Sequence, residues 1–128
     1  MSELQEVVEK KRLADYYYDN YRKALLRKEY SKASEFIWGV VNTLSYALAL
    51  FYGKKLRRHD EVIEFLKSLA TQYEEIREGV SAVQRLHANY FHNFMDENLF
   101  EEDRYRAEKL LNKLAELLQL KIKSFYEG

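Results

Sequence analysis

The chain has no cysteine and no proline, and its 128 residues include four glycines. Without cysteine there is no disulfide framework, no thiolate metal site and no thiol nucleophile. With proline absent and glycine rare, the usual helix breakers are missing, which predicts long uninterrupted helices joined by short connections. Net charge is also missing: 21 basic side chains balance 21 acidic ones. A binder of duplex DNA usually carries a net basic surface, so any such phosphate contact here needs a local patch. No glycine-rich phosphate loop and no HExxH motif occurs, nor does the Glu-x-x-His quartet of a ferritin-like di-iron centre. No serine stands in a recognisable activating context. Neither a cofactor nor a metal is expected. The first residues, MSELQEVVEKKRLAD, are charged and amphipathic and hold no apolar signal core, so a cytoplasmic location is expected.

What is present is apolar patterning. Apolar residues make up 47% of the chain, a globular value, and the length predicts one domain over 1–128. Phe36 to Gly53, FIWGVVNTLSYALALFYG, carries no charge, although a third of the whole chain is charged. A helix that is apolar nearly all round must be wrapped by other elements. Membrane crossing is disfavoured, because Phe36–Tyr52 is at the short limit for a span and holds Asn42, Thr43 and Ser45 near its middle. The stretch is read as the central helix of a small all-α, up-down bundle. High Lys, Glu and Tyr content without cysteine or proline suggests a heat-adapted source.

Three- and four-residue apolar spacing predicts five helices. The first runs from about Glu3 to Lys28, with Tyr17, Tyr18 and Tyr21 on its dry stripe. A short break with Ser31 as cap leads to the second, Lys32 to Tyr52. The pair resembles a single tetratricopeptide unit, but no second copy follows. One side of helix two offers Ile37, Val40, Leu44 and Leu48. The other offers Trp38, Asn42, Ser45, Ala49 and Tyr52, where small residues admit a close neighbour, either from the same chain or from a second copy. Gly53 is expected to close the helix as a C′ residue. Helix three starts near Asp60 as N-cap. Helix four spans Glu75 to Phe94, its stripe running from Ile76 through Leu86 to Tyr90, Phe91 and Phe94. A capping box at Asn98–Glu101 opens helix five, Leu99 to Tyr126, with Leu110, Leu114, Leu118, Ile122 and Phe125 inward.

Only three histidines occur. His59 reads as a loop or capping residue and His87, on the dry stripe, as a hydrogen-bonded core residue. His92 falls on the polar side of helix four, with Arg85 two turns before it. The one dense basic run, Lys54, Lys55, Arg57 and Arg58, either touches phosphates or simply opposes the helix-two macrodipole as solvated charge.

Helix two together with GKKLRRHDEVIEFLKSL, Gly53 to Leu69, resembles HEPN domains (higher eukaryotes and prokaryotes nucleotide-binding). LHANYFHNFMDENL, Leu86 to Leu99, with its Leu-His-x-Asn-aromatic run, is similar to the archaeal PaREP branch of such bundles. The resemblance covers helices two to four and implies a HEPN-like bundle that pairs into a homodimer. Catalytic HEPN members are metal-independent ribonucleases with an Arg-x4–6-His motif at the dimer cleft, and Arg85 and His92 fit that pattern. In such a site the histidine moves a proton and the arginine holds charge on phosphorus. The competing reading is a solvated Arg and His on a wet helix face. The leading expectation is a protein that acts by association, with itself and with a partner protein or RNA, and has no chemistry of its own. A HEPN-type, toxin-like ribonuclease is the alternative.

Overall fold

A computed structural model describes residues 2–128. They form five helices: α1 (Glu3–Leu26), α2 (Tyr30–Leu50), α3 (His59–Ala70), α4 (Glu74–His92) and α5 (Glu97–Glu127). No strand occurs among the described residues, and the helices form a bundle. None of these helices is long and apolar enough to cross a membrane.

The helix ends have local causes. Ser2 caps α1 by accepting from the Gln5 amide, while the Gln5 side chain accepts from the Ser2 amide. At the other end Lys28 takes a left-handed conformation, φ 57°. It closes α1 with bonds from its own amide to Leu25 O and from Glu29 N to Ala24 O. The same pair of bonds recurs after α2, where Gly53 N reaches Leu50 O and Lys54 N reaches Ala49 O, with Gly53 at φ 71°. Gly53 therefore does what its position predicts.

Three expected caps are displaced. Ser31 lies inside α2 and its hydroxyl donates to Tyr90 O instead. Asp60 lies within the first turn of α3, held by Arg58, while Glu61 accepts the Arg57 and Arg58 amides. Asp96, not Asn98, caps α5 by accepting from Leu99 N, so that helix starts two residues earlier than its spacing suggests. In each case a nearby carboxylate or a tertiary partner outcompetes the locally plausible cap.

α2 is the centre of the molecule. It packs against α1, α3, α4 and α5. Ile37, Val41, Ala47, Leu48 and Ala49 have no exposed surface, and Ser34 and Ser45 are equally buried. Thr43 donates back to Gly39 O and Ser34 to Tyr30 O, so these hydroxyls enter the core with an acceptor. Ser45 and Ala49 are covered within one chain, so the apolar excess of α2 needs no second copy. Gly39 permits a close approach of α1: a Cβ there would stand 3.0 Å from the Tyr17 ring.

Some expected core positions are wet. Tyr18 and Val8 of α1 are exposed, while Tyr21 is buried and donates to Glu108 of α5, which Arg104 also holds. α4 ends at His92, two residues short of its expected end; Tyr90 and Phe91 in its last turn are exposed, as are Phe94 in the turn that follows and Phe125 of α5. For Phe125 the reason is length. At 1.5 Å per residue α5 runs about 46 Å against about 31 Å for α2, so its last turns outrun the core.

Gly79, inside α4, marks the tightest contact with α5. A Cβ there would stand 2.6 Å from Leu110 Cβ and 3.0 Å from the Arg106 carbonyl oxygen. In an open helix, Gly→Ala gains up to about 1 kcal/mol. Here overpacking costs about 1–3 kcal/mol. Gly79→Ala is therefore expected to lower the urea midpoint with helix content unchanged, read by circular dichroism.

Candidate functional site

Trp38, Asn42 and Tyr46 recur every four residues on α2 and so form one strip along it. They face a cleft of about 370 Å³ that Lys10 of α1, His87 of α4, and Arg57, Arg58 and His59 at the start of α3 complete. Three rings pack together at its wall. His87 stacks on Trp38 with centroids 4.6 Å apart and on His59 at 4.9 Å, and Trp38 meets His59 at 4.8 Å. Phe91, one turn after His87, sets its ring edge-on at 5.2 Å and carries the aromatic surface outward to Tyr90.

The cations around the cleft differ in how far they are committed. Arg58 chelates Asp60 at 3.0 and 3.2 Å. Lys55 pairs with Glu6, which also accepts from the Tyr46 hydroxyl. Lys10 lies over the Tyr46 ring, 4.5 Å from its centroid. Lys10 and Arg57 have no carboxylate partner among the described residues. The basic run therefore divides. Arg57 and Arg58 border the ring-lined cleft; Lys54 and Lys55, with Arg58, border a neighbouring depression in which Asp60, Glu61 and Glu64 supply opposing charge.

His87 is neither the hydrogen-bonded core residue nor the isolated one that its sequence position suggests. Its Nδ1 is buried and meets no hydrogen-bond partner among the described residues. Burial first, and the neighbouring His59 second, lower its pKa below the ordinary imidazole value. His59 is the first residue of α3, and the neighbours of its ring are Trp38 and His87. Sequence reasoning treated the three separately. The available signal was the position of His59 directly after four cations and the four-residue strip on α2.

Arg85 and His92 are placed differently. Arg85 donates from Nε and Nη2 to both oxygens of Asp103, at 2.7 and 2.8 Å. Asp103 is fully buried, and Arg106 approaches it at 3.5 Å. The pair raises the Arg85 pKa, and its geometry is the bidentate fork of a tightly held guanidinium. His92 is the exposed last residue of α4, about 10.5 Å further along the axis. One chain does not bring the two together. Asn89, of the Leu-His-x-Asn-aromatic run, is buried: it donates to Ser34 and accepts from the Met95 amide, tying the α4–α5 turn to α2. Among the described residues no group of three or more His, Asp or Glu side chains is placed to hold a metal ion. Tyr52, beyond the end of α2, lies edge-on to Phe65 with Lys121 above it.

No protein-family model, curated protein or solved structure matches the chain.

The lowered pKa of His87 links stability to pH. The unfolded chain takes up a proton near pH 6.5 that the folded chain refuses, so the His87 contribution is complete above that pH and is lost as pH falls below it. Urea midpoints measured from pH 7 to 5 are expected to fall, and to fall less in His87→Phe, which keeps the ring but cannot titrate.

Proposed function

We propose that the protein acts by binding, and that its partner is single-stranded RNA held in the cleft between α1, α2, α3 and α4. One observation carries this reading: a wall of stacked rings, Trp38, His87 and His59, stands beside two uncommitted cations, Arg57 and Lys10. Single strands are bound by that combination, because bases stack on aromatic faces while cations follow the phosphates. A stacked base contributes about 1–3 kcal/mol and does not depend on its identity. The zero net charge limits the electrostatic share to this local patch. Of the readings raised by the sequence, binding gains most from the geometry, since Arg57 and Lys10 are available to a ligand whereas Arg85 is engaged by Asp103. The partner enters by stacking and ion pairing, and no step of chemistry is required.

Trp38 is the only tryptophan, so its fluorescence reports on the cleft directly. Titration with a short oligouridylate is expected to change that fluorescence to saturation. With two phosphates neutralised, the slope of log affinity against log salt is expected near about −1.4. Arg57→Ala or Lys10→Ala is expected to reduce that slope by about half. No fluorescence change at any concentration up to millimolar removes the reading, and so does binding that neither substitution weakens.

A further inference from the structure

The ring wall of the cleft contains two titratable groups placed face to face. His59 and His87 stack with centroids 4.9 Å apart and planes 21° from parallel, and Trp38 lies against both. The charged and titratable groups facing them come from every neighbouring element. α1 supplies Lys10, and α2 supplies Tyr46, whose hydroxyl is held by Glu6. The loop before α3 supplies Arg57 and Arg58, and α3 itself supplies Asp60, which is spent on Arg58. The uncommitted charge around the two imidazoles is thus positive. In the empty cleft a proton on His87 meets burial first and like charge nearby second. A phosphate group beside Arg57 and Lys10 offsets part of that positive charge and makes a proton on the rings less costly.

We propose that ligand capture in this cleft is proton-coupled: the His59–His87 pair takes up one proton from solvent as a phosphate group enters, so that acidification tightens binding. This rests on the reading of the cleft as a phosphate-binding site and adds its regulation. The only bond formed is N–H on a ring nitrogen, and the ligand leaves unchanged. The stoichiometry is one because the rings are coupled. Once one imidazole carries charge, the ring stacked on it 4.9 Å away is discouraged from a second proton. Linkage is reciprocal, so the ligand raises the imidazole midpoint by as much as the proton raises ligand affinity.

The test uses the intact protein and an oligouridylate without terminal phosphates, whose phosphodiesters do not titrate near neutral pH. The three histidine C2–H resonances are followed by NMR against pH, free and saturated, with saturation confirmed by Trp38 fluorescence. The expected result is an upward move of the His59–His87 midpoint by about one pH unit, with exposed His92 unmoved. Affinity then rises about tenfold in total on acidification through that range. A variant carrying His59→Asn and His87→Asn is expected to show a flat pH profile for any binding it retains. Midpoints that coincide in free and saturated protein overturn the proton coupling while leaving the binding reading in place. A wild-type pH profile in the double variant does the same. If Trp38 reports no oligouridylate binding at acidic or neutral pH, the binding reading falls and the coupling falls with it.

Discussion

The constraint on which the structure depends is the burial of most of α2. A helix without charge from Phe36 to its end at Leu50 can leave little of its surface to water, so four other helices are disposed around it. Burying a side chain such as Ile37, Leu44 or Leu48 contributes about 1.5–3 kcal/mol, which makes α2 the main source of apolar driving force. Two of its three buried hydroxyls are answered locally, Thr43 by Gly39 O and Ser34 by Tyr30 O, while Ser45 Oγ meets no partner among the described residues. Apart from buried Asp103, the surrounding helices keep their charged residues outward, which explains how a third of the chain can be charged around so apolar a centre.

The candidate site lies where that sheath is incomplete. The strip of Trp38, Asn42 and Tyr46 is only half-buried, and the gap above it is bordered by the start of α3 and by His87. Two buried polar ties set the frame. Asn89 joins α4 to Ser34 and to the α4–α5 turn, and Asp103 locks Arg85 of α4 onto α5. Both ties hold α4, and α4 carries His87 and Phe91 to the rim. Arg85, which fits a catalytic pattern in the sequence, thus ties down the helix that carries His87 and Phe91.

Much of the fold is legible in the sequence, because apolar periodicity reports burial directly. Val80, Val83 and Leu86 on α4, and Leu110, Leu114 and Leu118 on α5, are buried as their spacing implies. Periodicity fails where a helix outlasts its neighbours: Phe125 keeps the rhythm on α5 after the buried positions have ended at Leu118. Caps fail for a different reason. Several residues near each end can satisfy the free amides, and tertiary contacts choose among them, as Tyr90 does for Ser31. The site was the least legible part. Trp38, His59 and His87 belong to three helices, and no spacing rule within one helix predicts that their rings will touch. The partition of the basic run was equally hidden, since it depends on where Glu6, Asp60, Glu61 and Glu64 come to rest.

Amide hydrogen exchange along α2 tests most directly whether one chain suffices to bury this helix. The amides from Val41 to Leu48 are expected to exchange only through global unfolding, with protection that does not change as the protein is diluted to its monomeric state. Exchange at the rate of the exposed end of α5, or protection that disappears on dilution, would contradict a core helix covered by its own chain.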